Sequence, residues 1–230
     1  MATRFSKKNL NFLIFNTMEK VIYLNAGHDL YIDRGVTYNN VVENEEAIKI
    51  CDILTPLLER HFKVKRIPDQ HNLQDSVKWV NGGAYKLSDG LALSLHLNSD
   101  PKHQAGGAEC FHHRRGYLLN KPYAKKLIDK YCEITGLKNR HEKPDTESVT
   151  KYLWWINKTN CQALLLEMCF IDNPEDMKIF SDHQKIAQAI YEGVCDIFKI
   201  KIVEQEKDSL LKMIFDFQKV LNRLKKLSTV

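Results

Sequence analysis

The chain has 230 residues, of which 43% are hydrophobic and 27% charged, and its formal net charge is +5. This composition predicts one folded, soluble domain with an appendage and excludes a disordered chain. No apolar run approaches the roughly 20 residues of a transmembrane helix. The excess positive charge lies in residues 1–20 and 201–230, so the nearly neutral centre argues against nucleic acid as a partner.

The six cysteines are scattered, at positions 51, 110, 132, 161, 169 and 195. None of them is spaced like a zinc knuckle or a redox motif, so we expect reduced thiols and synthesis in the cytoplasm. The lead-in at 1–19 contains an apolar run too short for a secretory signal, and we therefore predict no signal peptide.

The first predicted core strand leads to a candidate metal ligand. Residues 21–25 are a short run of strand-forming side chains that stops at Ala26, Gly27 and His28. We expect Gly27 to let the backbone turn sharply. His28 would then lie at the carboxyl edge of the sheet, where the sites of α/β proteins are assembled. Residues 29–40 are polar and predict a loop.

A helix with three acids in its first turn is predicted next. Apolar side chains recur with helical spacing between 41 and 62. Glu43, Glu45 and Glu46 complement the positive end of the helix dipole, which is a sufficient structural explanation for them. At most one of these acids needs to be a metal ligand.

Two strands and a helix follow. Residues 64–68 predict a strand ended by proline, and residues 72–86 predict a helix. The apolar run at 91–99 predicts a third strand, with His96 close to its end. His96 therefore lies near the end of a buried strand, as His28 does.

The middle of the chain predicts a strand at 106–113, a helix at 118–134, an exposed loop at 137–150 that could wall a groove, and a short strand at 152–156. Within the first of these, His112 and His113 are adjacent and would point to opposite faces of the strand. They cannot easily share one metal ion, and we expect both to be exposed to solvent.

A charged residue inside an apolar run marks the next strand. Residues 163–168 predict a buried strand, with Glu167 where it ends. A buried carboxylate is destabilising unless it is paired, hydrogen-bonded or near a metal ion. Taken alone, Glu167 fits a structural cap as well as a catalytic group. Asn173 and Pro174 then begin a short helix, and another helix is predicted near 183–198.

Residues 201–230 are predicted to form an amphipathic helix, which leaves 1–19 as a lead-in and 20–200 as the body of the chain. Apolar residues in this helix alternate with spacings of four and three, as in a coiled-coil seam. Three interpretations stay open: docking of the helix on its own domain, self-association through 203–227, and binding to a membrane or wall surface.

Alternating strands and helices predict an α/β fold with a single mixed, mostly parallel twisted sheet and helices on both faces. His28, His96 and Glu167 lie near the ends of three predicted strands, and the acidic helix start follows the first. Two histidines and one carboxylate with an open fourth position are a standard ligand set of catalytic zinc, and a further glutamate nearby can serve as a base.

Four ordered motifs resemble the Amidase_3 family, the zinc-dependent N-acetylmuramoyl-L-alanine amidases found in bacterial autolysins and phage endolysins. The motifs are Ala-Gly-His at 26–28, a glutamate at the head of the first helix, Ser-Leu-His-Leu-Asn at 94–98, and Leu-Glu-Met-Cys-Phe-Ile-Asp-Asn at 166–173. The resemblance covers about residues 20–199. It departs from the family at Asp29, where many members have a second glycine, and at Met168-Cys169.

The resemblance implies that His28, Glu43 and His96 bind one Zn²⁺ and that Glu167 is the catalytic acid/base. Glu43 is preferred because the family's ligand precedes apolar helix positions by seven and eleven residues, as Glu43 precedes residues 50 and 54. Zinc would lower the pKa of its water and polarise the scissile carbonyl, while Glu167 would transfer the proton.

The implied activity is cleavage of peptidoglycan at the amide bond between the lactyl group of N-acetylmuramic acid and L-alanine of the stem peptide. Two alternatives are another zinc peptidase or amidohydrolase and an inactive wall-binding phage component. Without a predicted signal peptide, we expect a protein that is made in the cytoplasm and acts at the cell wall after release or delivery.

Overall fold

The computed structural model describes residues 20–115 and 120–202. Its strands are β1 (Val21–Ala26), β2 (Thr37–Tyr38), β3 (Val41–Val42), β4 (Lys63–Arg66), β5 (Leu91–Asn98), β6 (Ala108–His112), β7 (Asn139–Pro144) and β8 (Gln162–Phe170). Its helices are α1 (Glu43–Leu58), α2 (Leu73–Asn81), α3 (Asn120–Thr135), α4 (Trp154–Lys158), α5 (Pro174–Phe180) and α6 (His183–Phe198). The predicted lead-in at 1–19 and the predicted coiled-coil seam within 203–227 lie outside the described residues.

Six strands form one sheet in the order β4-β1-β5-β8-β6-β7, and β2 and β3 form a separate hairpin. Neighbouring strands from β4 to β8 are parallel, whereas β6 pairs antiparallel with β8 and parallel with β7. The predicted mixed, mostly parallel sheet is therefore confirmed. Because β6 runs against β8, the start of β6 lies at the same edge as the carboxyl ends of β1, β5 and β8.

Helices cover both faces of the sheet, as predicted. The larger core packs alternate side chains of β1, β5 and β8, such as Leu24, Leu93 and Leu166, against α1, α3 and α6. The other face, which includes Tyr23 and Leu165, packs against the short helices α2 and α4. Since α2 has nine residues and α4 has five, this second face is less completely covered and has room for a cleft.

Two predicted elements are wrong. Residues 139–144 form the edge strand β7 rather than part of a loop, because an edge strand needs only one partner and tolerates charged residues and a terminal proline. Residues 154–158 are helical rather than extended. Trp155 in this helix is buried and donates its indole N–H to the Leu164 carbonyl at 3.0 Å, so a tertiary contact overrides local strand propensity.

The other strands and helices predicted within the described residues are present, with shifted ends. The run at 163–168 extends to Phe170, so Glu167 lies inside β8 rather than at its end. Asn173 caps α5 by accepting hydrogen bonds from the N–H groups of Glu175 and Asp176. Within the two described segments, every helix is too short or too polar to span a bilayer.

Candidate metal centre

The structure brings His28, Glu43 and His96 together at the carboxyl edge of the sheet. His28 follows β1, His96 is near the end of β5, and Glu43 is the first residue of α1. Glu43 Oε1 lies 3.2 Å from His28 Nε2 and 3.0 Å from His96 Nδ1. One potential ligand atom from each residue lies within 4.8 Å of the others, so this group could hold a metal ion.

Backbone hydrogen bonds fix the Glu43 carboxylate. Val36 N–H donates to Oε2 at 3.0 Å, and Leu97 N–H donates to Oε1 at 3.1 Å. Glu43 is 2% exposed, so a loss of these donors would remove two hydrogen bonds from a buried carboxylate and destabilise its charged form. The other two acids of the first turn face elsewhere: Glu45 pairs with Arg34, and Glu46 pairs with Lys49 and His183.

His28 is oriented by a second carboxylate. Its Nδ1 lies 3.0 Å from Asp33 Oδ1, which leaves Nε2 toward Glu43. Outer hydrogen bonds of this kind fix the ring orientation of metal-binding histidines. We expected a sharp backbone turn at Gly27, and the left-handed conformation in this segment occurs at His28, with φ of +66°.

Gly27 instead provides space for His96. A Cβ atom at Gly27 would lie 2.3–2.5 Å from three atoms of the His96 ring, which is far inside van der Waals contact. Similarly, a Cβ at Gly35 would lie 2.5 Å from Glu43 Oε2, and Gly35 has φ of +73°. The two glycines therefore allow the three side chains to approach one another.

We expect Gly27→Ala to displace the His96 ring and to reduce metal affinity by at least about tenfold, the lower end of the effect of outer-shell substitutions. The measurement is zinc titration against a chromogenic chelator. Gly82→Ala is the matched control, because a Cβ at Gly82 would make only ordinary contacts at 3.5 Å. Unchanged affinity in Gly27→Ala would contradict this account of the glycine.

The protonation of the group follows from its ion pairs. Burial alone would lower the pKa of His28, but the carboxylates of Glu43 and Asp33 raise it to about 9. Burial alone would raise the pKa of Glu43, but hydrogen bonds with His28 and His96 lower it below the usual range of a carboxyl group. His28 is therefore protonated at neutral pH without a metal, and a metal ion that binds would replace that proton.

Glu167 stands beside this group in the sheet. It is in register with His96 on β5 and with Glu109 on β6, so the three residues form a row across neighbouring strands. In residues 20–115 and 120–202, no group hydrogen-bonds its buried Oε2 atom. Burial raises the pKa of Glu167 well above its usual range, and the charges of Glu43 and Glu109 raise it further.

Glu109 is a cleft residue for which the sequence suggested no role. Its Oε1 accepts a hydrogen bond from Asn98 at 3.0 Å, and its Oε2 accepts from Arg140 Nε and Lys143 Nζ, each at 2.6 Å. We expected functional residues at the carboxyl ends of strands. Because β6 is antiparallel to β8, it is the beginning of β6, with Glu109, that lies at the site. The Gly106-Gly107 pair that precedes β6 was the available signal.

The residues at the other end of β6 lie away from the metal group. His112 is 3% exposed, so the prediction that it is solvent-exposed is wrong. It lies between β8 and β7, where neighbouring elements cover it, and its Nδ1 donates to the His113 carbonyl at 3.0 Å.

Asp29 tightens the loop beside the metal group. Its carboxylate is buried and accepts hydrogen bonds from the N–H groups of Tyr31, Ile32 and Asp33 at 2.7–3.3 Å. The Ile32 bond, together with the other two, lowers the pKa of Asp29. This loop carries Asp33, so the departure from the family pattern at position 29 helps to place the partner of His28.

Two cavities meet at His28 and His96. One, of about 800 Å³, we call the aromatic cavity; it is lined by Ile32, Leu73, Tyr152 and Trp154, with Asn25 and Ser94 at its polar part. The other, of about 830 Å³, we call the charged cavity; it is lined by Glu43, Glu109, Arg140, Lys143 and Glu167. An extended ligand could therefore occupy both sides of the metal group at once.

The sequence profile of the Amidase_3 family, described as N-acetylmuramoyl-L-alanine amidase, matches residues 22–196, which is more than half of the chain. The chain belongs to the Amidase_3 family. The match includes the sheet except for its first residue, Val21, and it includes the four residues at the cleft that the sequence singled out. This membership confirms the resemblance that the four motifs carry.

Curated relatives of this Amidase_3 chain include an uncharacterized protein of Clostridium perfringens (strain 13 / Type A), which is 32% identical over 121 residues. That match covers 48% of this chain and 34% of the relative. The germination-specific N-acetylmuramoyl-L-alanine amidase of Bacillus subtilis (strain 168) is 24% identical over 203 residues, with 79% of this chain and 81% of the relative covered. The chain thus spans about a third of the first relative's length.

Solved structures show the same fold. The catalytic domain of CwlV, an N-acetylmuramoyl-L-alanine amidase of Bacillus (Paenibacillus) polymyxa var. colistinus, superposes with a TM-score of 0.66 at 21% identity, covering 79% of this chain and 99% of that one. The catalytic domain of the CD27L endolysin, which targets Clostridia difficile, has a TM-score of 0.59 at 26% identity, covering 77% and 98%.

Proposed function

We propose that this Amidase_3 chain is a zinc-dependent N-acetylmuramoyl-L-alanine amidase. It would hydrolyse the amide bond between the lactyl group of N-acetylmuramic acid and L-alanine of the stem peptide. The observation that carries the proposal is the juxtaposition of the His28–Glu43–His96 group with Glu167, whose Oε2 atom has no hydrogen-bond partner in the described part of the chain. Amidase relatives support the choice of bond.

The donor set fits zinc. Two imidazoles and one carboxylate leave a coordination position open, which is the arrangement of catalytic rather than structural zinc sites. The second carboxylate, Asp33, holds His28 in a fixed orientation. A zinc ion bound here would supply Lewis acidity, which lowers the pKa of water and polarises a carbonyl group.

Glu167 would be the proton carrier. Its Oε2 atom faces no competing donor among the described residues and can therefore accept a proton from the attacking water. The same atom would return that proton to the L-alanine nitrogen as the amide bond breaks. Burial, and then the charges of Glu43 and Glu109, raise the pKa of Glu167, whereas positive charge at the triad would favour the ionised form that a base requires.

We further propose action at the cell wall, as an autolysin or endolysin, with residues 20–200 as the catalytic domain. The named activities of the Bacillus relative and of the CD27L endolysin support this place of action. The role of 201–230, including self-association through 203–227, stays a prediction.

The proposal is tested by digestion of purified peptidoglycan, with identification of the new termini by mass spectrometry. We expect a new L-alanine amino terminus, and we expect a chelator to abolish the digestion and added zinc to restore it. A new terminus inside the stem peptide would instead indicate a zinc peptidase. No digestion by the zinc-loaded protein would favour an inactive wall-binding component.

A further inference from the structure

Two cations in the charged cavity share a single carboxylate oxygen. Arg140 Nε and Lys143 Nζ both lie 2.6 Å from Oε2 of Glu109, whose other oxygen is occupied by Asn98. Glu109 is 4% exposed and needs one cation to neutralise it. Glu109 therefore has one cation more than it needs, and this second cation lies on the wall of a cavity that Glu43, Glu147 and Glu167 also line.

An irregularity in β7 places both cations on one side. In a regular strand, residues three apart point to opposite faces. Between the pairs Ala108–Asn139 and Cys110–Glu142, β7 contains one residue more than β6, which is a β-bulge. His141 within the bulge has φ of +69°, an uncommon conformation for a residue other than glycine. The bulge, with its uncommon conformation at His141, therefore places the side chains of Arg140 and Lys143 on the same side of β7.

Both side chains remain accessible to a ligand. The Arg140 side chain is 27% exposed and that of Lys143 is 23% exposed. The Arg140 guanidinium also lies over the Phe170 ring, 4.8 Å from its centroid, which fixes its plane. Because the bond to Glu109 uses Nε, the Nη groups of Arg140 are available for a second acceptor. A fixed guanidinium beside an ammonium group is suited to a carboxylate.

We propose that Arg140 and Lys143 bind a free carboxylate of the stem peptide and select substrates that carry it over those in which it is amidated. This inference rests on the proposed function, because it assigns the charged cavity to the peptide side of the scissile amide. The lactyl and sugar side then extends into the aromatic cavity, where Tyr152 and Trp154 line the wall. Arg140 and Lys143 are specificity-determining residues and take no part in proton transfer.

The test compares two synthetic muramoyl peptides that differ only in having one stem-peptide carboxylate free or as its carboxamide. Binding is measured by calorimetry on the full-length, zinc-loaded Glu167→Gln variant, so that turnover does not interfere. We expect the free acid to bind about tenfold more tightly, as for a hydrogen bond to a charged group. The preference should fall toward unity when Arg140→Met or Lys143→Met is added.

Each single substitution leaves one cation for Glu109, and unchanged thermal unfolding would show that the fold survives. Lys125→Met is the matched control, because Lys125 also pairs with a carboxylate at 2.6 Å but lies outside the cleft, on α3. It should keep the full preference. Equal binding of the two peptides, absence of binding, or a preference that persists in both Arg140→Met and Lys143→Met would overturn the inference. Failure of the proposed function would show separately, as no cleavage of either peptide by the unsubstituted protein.

Discussion

Glu167→Gln is expected to reduce the rate of peptidoglycan hydrolysis by about 10²–10⁴, the usual contribution of a positioned general acid or base. Glutamine has nearly the same shape but cannot accept and return a proton. The metal content should stay the same, because Glu167 is not one of the three grouped residues that could hold a metal ion. The measurements are the rate of muropeptide release and the zinc content of the same preparation.

Glu133→Gln is a suitable control for this experiment. Glu133 lies on the surface of α3 and pairs with Lys130, away from the cleft. Its replacement makes the same chemical change and should leave the rate within about a factor of two, as for ordinary surface substitutions. Hydrolysis at a near-normal rate in Glu167→Gln would exclude Glu167 as the proton carrier, and another acid of the cleft would then have to be found.

The sequence was most informative where a buried strand ends in a polar residue. The apolar runs of β1, β5 and β8 are long enough to be recognised, and their parallel arrangement gathers their carboxyl ends at one edge. His28 and His96 could therefore be placed near each other before any coordinates. The predicted strand at 163–168 was nevertheless shorter than β8. Glu167 was taken to mark the end of the strand, whereas in the structure it still pairs with His96 of β5.

The rest of the cleft depends on strand direction and register, which composition does not reveal. Glu109 is at the site because β6 is antiparallel to β8. Arg140 and Lys143 face it because a bulge shifts the alternation of β7, and a run of charged residues gives no local sign of that bulge. These features arise from pairing between distant segments, and they were consequently missed.

The choice among the three acids of α1 shows the same limit. All three acids, Glu43, Glu45 and Glu46, suit the start of a helix, and Glu43 was preferred among them only through the family resemblance. In the structure, hydrogen bonds with Val36, in the segment before α1, determine which acid faces the histidines. Val36 N–H donates to Glu43 Oε2, and Glu43 N–H donates to the Val36 carbonyl at 2.9 Å. That reciprocal pair turns the first residue of α1 toward the histidines.

Glu43→Ala is therefore expected to weaken zinc binding by more than about 100-fold, since even outer-shell substitutions typically cost 10–100-fold. Activity should be lost with the metal, and excess zinc should restore it only poorly, because His28 and His96 alone offer two ligands. Zinc affinity is measured by chelator competition at fixed pH, since protons compete for His28.

Glu45→Ala is the matched control, because Glu45 belongs to the same helical turn but pairs with Arg34 on the surface. Its zinc affinity should equal that of the unsubstituted chain. If Glu43→Ala retained its zinc while Glu45→Ala or Glu46→Ala lost it, the carboxylate ligand would have to come from a different rotation of α1. In such a rotated helix, Val36 and Leu97 would no longer donate hydrogen bonds to Glu43. The unfolding temperature of Glu43→Ala therefore tests independently whether these hydrogen bonds are present.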